Sequence, residues 1–148
     1  MKKIYYRYAK LEDAKFLYNL RTSKDAKKFF FKKKNFTFKQ HIIWLTNKIS
    51  KKKDKLIVFY FKPQDYFGVV RYESIKNYIS VSIQISRNFK KKGLGNKILK
   101  LSEKLLKKKE LIISKIKLSN SVSIKLFKRN GYKEFNRTKK IINFFKIV

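Results

Sequence analysis

Seven residues, Lys90 to Asn96, hold the pattern best suited to chemistry: three consecutive lysines, then Gly93-Leu94-Gly95-Asn96. Just before them Ile79, Val81, Ile83 and Ile85 alternate with Ser80, Ser82, Gln84 and Ser86, the period of a half-buried strand. Just after them Leu94, Ile98, Leu101, Leu105 and Leu106 recur at helical spacing. A strand that runs through glycines into the first turn of a helix leaves several backbone N–H groups without partners, and those donors bind anions. A side chain at residue 93 or 95 would hold a phosphate away from that backbone, and the lysines add to the positive end of the helix dipole. The same residues also read as a plain strand-to-helix turn with a solvated basic flank. Neither Gly-x-x-x-x-Gly-Lys-Ser/Thr nor the three-glycine dinucleotide fingerprint is present.

Other chemistries are bounded by what the chain lacks. Cysteine is absent and His41 is the single histidine, so neither a thiolate nucleophile nor a Cys/His metal cluster can be assembled, and no metal is expected. Nine acidic residues occur among 148, most of them on apparent helix surfaces or turns. Glu73, near the end of a strand, is the candidate general base, acting directly or through water. The plain alternative is an exposed strand-end charge.

The spacing Lys90-Lys91-Lys92-Gly93-Leu94-Gly95 resembles the Gln/Arg-x-x-Gly-x-Gly/Ala pyrophosphate loop of the GCN5-related N-acetyltransferases. Downstream, the run from Asn120 to Tyr132, with Asn120, Ser123, Leu126, Phe127, Gly131 and Tyr132 in register, is similar to the same family's Asn-x-x-(Ala/Ser)-x-x-Leu-(Tyr/Phe)-x-x-x-Gly-(Phe/Tyr) segment. Two motifs in that order are more specific than either alone, and the resemblance covers essentially all of residues 1–148, read as one N-acetyltransferase domain. It implies an α/β (α+β) fold with a mixed, mostly antiparallel sheet of about seven strands, splayed central strands and about four helices. It further implies acetyl-CoA as donor, with backbone groups at Ile83, Gln84 and Ile85 on the pantetheine arm. Lys90, Lys91, Lys92, Gly93, Leu94, Gly95 and Asn96 would hold the pyrophosphate, and Asn120, Ser123 and Phe127 would line the far side of the gap. Many members carry a tyrosine where Phe127 stands, and a phenyl ring cannot protonate a leaving thiolate.

Composition suits one folded core: 43% of residues are hydrophobic and 16% aromatic. The net charge of +32 is the signature of a polyanion binder. Yet lysine outnumbers arginine 35 to 6 and is spread through nearly every segment beside Ile, Phe, Tyr and Asn, as in the product of an A/T-biased genome. Nucleic acid is therefore expected to bind only through non-specific charge. No stretch approaches eighteen apolar residues and the first residues lack the apolar core of a signal peptide, so no membrane span and a cytoplasmic location are expected.

The remaining segments must position the loop. Lys2 to Tyr8 reads as a strand with Ile4, Tyr6 and Tyr8 on one face. A helix opens at Leu11-Glu12-Asp13 with Ala14, Leu17 and Leu20 inward, and a short helix follows around Asp25 to Phe31 with Phe29-Phe30-Phe31 read as core. Thr37 caps a helix with Phe38, Ile42, Leu45 and Ile49 inward and His41 and Trp44 on a neighbouring face. Strands follow over Lys55 to Phe61, Tyr66 to Ser74 and Tyr78 to Arg87, then Glu110 to Leu118, a helix over Ser121 to Arg129, and a closing pair over Tyr132 to Asn136 and Lys139 to Ile147.

The helical region between the first two strands resembles the acceptor side of an N-acetyltransferase cleft, which makes Arg21, His41 and Trp44 acceptor-site candidates. On the plain reading Trp44 is a core-edge aromatic and His41 an exposed polar residue. The run Phe38-x-x-His41-x-x-Trp44-Leu45 with Tyr66-Phe67-Gly68-Val69-Val70-Arg71 is similar to two branches of the family. One acetylates nucleotide-linked amino sugars in surface-glycan synthesis, the other ribosomal-protein N-termini. The amino-sugar branch is the expectation, since a basic cleft suits a diphosphate-bearing acceptor. A non-catalytic polyanion-binding protein on the same fold is the alternative of another class. Oligomeric state is not legible.

Overall fold

The structure is a computed structural model and describes residues 1–31 and 35–148. Its elements run β1 (Tyr5–Tyr8), a 3-10 turn (Leu11–Asp13), α1 (Ala14–Thr22), α2 (Lys24–Lys27), α3 (Phe38–Ser50), β2 (Lys55–Phe61), β3 (Asp65–Ile75), β4 (Tyr78–Ile85), α4 (Leu94–Glu103), β5 (Leu111–Lys117), α5 (Ser121–Arg129), β6 (Lys133–Arg137) and β7 (Ile141–Ile147). The seven strands form one sheet in the order β1-β2-β3-β4-β5-β7-β6, and only β4 and β5 run parallel. This is the mixed, mostly antiparallel α/β architecture expected, with a fifth α-helix in the single turn of α2.

Two layers of helix cover the sheet. On one face α4 and α5 pack over Ile57, Phe59, Val70, Tyr72, Val81, Ile112 and Phe144, with Ile79, Ile83 and Ile85 at the margin, as the alternation in β4 requires. On the other face α1 and α3 bury Leu17, Leu20 and Leu45 against Leu56, Val58 and Val69. The serines and Gln84 of β4, like Arg71 and Glu73 of β3, belong to this second face.

Helix ends follow their caps. The Thr37 hydroxyl accepts from the Gln40 N–H while the Gln40 side chain accepts from the Thr37 N–H, a reciprocal cap that starts α3. The Asn120 carboxamide oxygen accepts from the Ser123 N–H to start α5, and Gly131, at φ +82°, ends it in the left-handed conformation.

In β1 Tyr6 and Tyr8 share a face as expected, and Tyr5 and Arg7 are the less exposed residues on the other: Arg7 makes a bidentate pair with buried Asp13 (2.7 and 2.8 Å) and donates to the Tyr66 hydroxyl. Three expectations are corrected. Phe29 and Phe30 are half-buried and Phe31 is exposed, so the triple phenylalanine is not core. In α3, Phe38 and Ile49 are exposed, because the stripe that meets the sheet runs through His41 and Leu45. His41 is wholly buried, not an exposed polar residue, since both ring nitrogens find partners.

Candidate active site

The parallel pairing of β4 with β5 extends over two positions only, Ile79 with Ile112 and Ser80 with Ile113. Beyond Ser80 the strands diverge. On its other edge β4 stays paired with β3 as far as Ile85, opposite Gly68. Ile83, Gln84 and Ile85 thus lie in the half of β4 whose β5-side edge has no strand beside it, and their backbone can pair with an extended amide-bearing chain.

The loop at the open end has the geometry of an anion cradle. The backbone is left-handed at Lys91 (φ +61°) and at Gly93 (φ +70°), and Gly93 begins α4 with no side chain to cap it. The first turn of α4 therefore offers N–H groups that no side chain satisfies, unlike those of α3 and α5. Space is open around Gly93: nothing lies within 4 Å of where its Cβ would be. A Cβ at Gly95 would sit 3.5 Å from Leu126 and 4.0 Å from Ile83, so α5 and β4 converge on that residue. An uncapped helix start at the end of a one-sided strand edge fits a cofactor made of an extended arm joined to a pyrophosphate.

Within the loop the residues divide by role. Leu94 is buried, so only its backbone can reach a ligand. Asn96 accepts from Asn130 Nδ2 at 2.8 Å, and the same amide group donates to the Leu126 carbonyl at 2.8 Å, joining the end of α5 to the start of α4. Lys91 and Lys92 are exposed, and Lys90 is paired with Asp25 of α2 at 3.1 Å. Asn120 and Ser123 are partly exposed, at the start of α5. Phe127 corrects the expectation that it lines the gap: it is 2% exposed and packs edge-on against Tyr132, centroids 4.9 Å apart, because a phenyl ring has nothing to offer a polar wall.

On the opposite face the three acceptor-side candidates come together. The Arg21 guanidinium lies 3.8 Å from the Trp44 ring centroid and 4.2 Å from that of Phe36. Its Nη1 is 3.1 Å from His41 Nδ1, and Arg71 approaches Trp44 at 5.7 Å. Burial, then the like charge of Arg71, pushes Arg21 down to about 10, which leaves it charged at neutral pH. Among the described residues no carboxylate pairs with it. Glu73 joins this cluster with both oxygens engaged: Oε1 is 2.7 Å from Arg71 Nε and Oε2 is 2.8 Å from Lys48 Nζ. It sits opposite Ser80, at the closed end of the divergence. Sequence reasoning missed Arg71 and Lys48 as members of this group. The signals were there, as Arg71 shares a strand face with Glu73 and Lys48 lies one helical turn after Trp44.

The divergence beside β4 and the uncapped glycine turn are the two features that the resemblance to the N-acetyltransferases implies. Residues 72–141, from within β3 to the first residue of β7, match the family model described as FR47-like protein. No curated protein matches the sequence. A domain from Methanocaldococcus jannaschii DSM 2661 superposes with a TM-score of 0.85 at 20% identity over 100% of both chains. The spermidine N-acetyltransferase of Vibrio cholerae, in complex with CoA and spermine, gives 0.83 at 16% identity over 97% of this chain and 95% of its own. A GNAT-family acetyltransferase from Streptococcus pneumoniae gives 0.72 at 14% identity over 99% of each. At these identities the likeness is one of fold, shared with acetyltransferases of the GNAT type, and the family match covers just under half of this chain. The Vibrio relative's ligand is a polyamine rather than an amino sugar.

Proposed function

We propose that the protein transfers the acetyl group of acetyl-CoA directly to a primary amine on an acceptor that also carries negative charge, a nucleotide-linked amino sugar being the class that fits. The observation that carries this reading is Arg21: a half-buried guanidinium clamped between Trp44 and Phe36, hydrogen-bonded to a neutral imidazole, with no carboxylate partner among the described residues. A desolvated charge is favourable only when something compensates it, and an acceptor phosphate supplies that compensation. A polyamine would instead meet Arg21 and Arg71 in a protein of net charge +32.

Acetyl-CoA supplies the thioester. The open backbone at Ile83, Gln84 and Ile85 aligns its arm, the Lys90 to Asn96 turn holds the pyrophosphate, and Asn120 and Ser123 close the far wall. The amine nitrogen bonds to the acetyl carbon as the carbon–sulfur bond breaks; the thiolate leaves, and the amine's proton passes to solvent. Arg21 and Arg71 favour loss of that proton, because nearby cations disfavour an ammonium, and the same positive field steadies the thiolate in place of the missing tyrosine hydroxyl. Glu73, with both oxygens held, serves to orient Arg71. Alignment of amine and thioester supplies the larger part of the acceleration. No described helix is long and apolar enough to cross a membrane. The cytoplasm is the proposed location, where acetyl-CoA is available.

The test is an acceptor panel with acetyl-CoA: a uridine-diphosphate amino sugar, a short peptide with a free N-terminus, and spermine, each followed by CoA release. The reading expects turnover on the nucleotide sugar. Faster turnover on spermine or on the peptide overturns it.

A further inference from the structure

The short segment from Asp25 to Phe31 lies across the divergence of β4 and β5 on the acceptor face. At one end Asp25 Oδ2 is 3.1 Å from Lys90 Nζ, in the loop that follows β4. At the other, Phe31 lies under two lysines of β5, with Lys115 Nζ at 4.6 Å and Lys117 Nζ at 5.9 Å from the ring centroid. Between these ends Lys117 Nζ donates to the Lys28 carbonyl at 3.3 Å. The segment thus touches both walls of the gap beyond the point where they cease to pair.

These ties are of one kind. Each joins the segment to a lysine ammonium through a carboxylate, a carbonyl or a ring face, and none buries a large apolar area: Phe29 and Phe30 are half-buried and Phe31 is exposed. Exposed contacts of this sort are weak and screened by salt, so such a segment opens at little cost. Lys90 is also one of the lysines that face a pyrophosphate bound at the start of α4. A single ammonium cannot fully satisfy a carboxylate on the acceptor segment and a pyrophosphate on the cofactor loop together, and the pyrophosphate, with its greater charge, takes the larger share.

We propose that Asp25 and Lys90 form a cofactor-sensitive latch: in the free protein the pair holds the 25–31 segment over the gap, and a bound CoA pyrophosphate draws Lys90 away and releases the segment, opening the acceptor side once the donor is in place. The inference rests on the proposed role of the Lys90 to Asn96 turn. It predicts donor-first binding, with a coupling of about two- to fivefold in affinity, the range an exposed ion pair can supply.

Millisecond hydrogen exchange on the full chain tests it at the amides of Lys27, Lys28 and Phe29, which α2 and the turn after it hold in hydrogen bonds. Exchange at these amides should rise when CoA saturates the wild type. It should already be raised without CoA in Asp25→Asn and in Lys90→Gln. Asp25→Asn should also tighten CoA binding two- to fivefold in the wild-type background and leave it unchanged in Lys90→Gln, which separates the latch from a general loss of negative charge. CoA binding with unchanged or slowed exchange overturns the latch alone, as does equal tightening in both backgrounds. Failure of CoA to bind at all overturns the cofactor loop and the latch with it.

Discussion

Arg21 and His41 fix each other's state. A guanidinium has only donors, so His41 Nδ1, 3.1 Å from Arg21 Nη1, must accept; the ring proton therefore resides on Nε2, which donates to the Ala14 carbonyl at 3.0 Å. The histidine is neutral with one tautomer, and the arginine is held against Trp44 with a fixed orientation.

Stability should carry the mark of that imidazole. Burial, then the charge of Arg21, lowers His41 below its ordinary value near 6.5. The folded chain takes up this proton at lower pH than the unfolded chain does. The contribution is complete above the unfolded value and is lost as pH falls through the folded one. Urea unfolding between pH 7.5 and 5 should show stability declining below about 6.5. His41→Asn, which keeps an acceptor but cannot titrate, should lose that part of the slope and be less stable at neutral pH by about 1–3 kcal/mol.

Arg21→Lys should act on the acceptor alone. Lysine keeps the charge but neither stacks on Trp44 and Phe36 as a plane nor offers a fork to a phosphate. The acceptor KM should rise roughly ten- to hundredfold while the CoA affinity, measured by calorimetry, stays as in the wild type. An unchanged acceptor KM would remove Arg21 from the site.

For Glu73 the two roles separate by kinetics. As the group that orients Arg71, its replacement in Glu73→Gln should raise the acceptor KM and lower kcat less than about tenfold, with the pH profile of kcat unmoved. A fall beyond about a hundredfold with loss of the acid limb of that profile would make it the general base instead.

The two glycines of the turn differ in what a methyl group does to stability. Gly95 is the second residue of α4 and its Cβ would meet Leu126 at ordinary contact distance, so Gly95→Ala should fold and gain less than about 1 kcal/mol from helix propensity. Gly93→Ala should lose about 1 kcal/mol, because its backbone is left-handed although nothing crowds it. Thermal unfolding of the two variants decides this.

The parts legible in the sequence are those in which one local signal met no competitor. The alternation from Ile79 to Ser86 placed β4 on its correct face, Thr37 marked the start of α3, and the run from Ser121 to Arg129 marked α5 with its bounds. In β1 the run Tyr5-Tyr6-Arg7-Tyr8 has no apolar contrast between its faces. What decides its orientation is the pairing of Arg7 with Asp13 and Tyr66, one partner close in sequence and the other on β3. Phe29 to Phe31 looked like core by composition, yet only five residues separate Phe31 from Asp25, and the ties to Lys90 and Lys115 keep the segment over the gap instead of inside a layer.

The candidate site divides the same way. The glycine turn and the motif from Asn120 to Tyr132 are contiguous and could be read directly. The Arg21, Trp44, Arg71, Glu73 and Lys48 cluster is assembled from α1, α3 and β3, and its geometry exists only after those elements pack. His41 is the sharpest case: as an isolated polar residue on an amphipathic helix it reads as exposed, and only the Ala14 carbonyl and Arg21, brought over it by α1, make burial favourable.

The most direct test of the account is a calorimetric titration of acetyl-CoA into the wild type and a Gly93→Val/Gly95→Val variant, shown to be folded by circular dichroism, at low and high salt, with an oligonucleotide as competitor. The account predicts one-to-one binding that survives the higher salt, resists the oligonucleotide and is lost in the folded double variant. Binding to the oligonucleotide alone, or acetyl-CoA binding that vanishes with salt and ignores the bulky residues, would contradict it and make the charge itself the function.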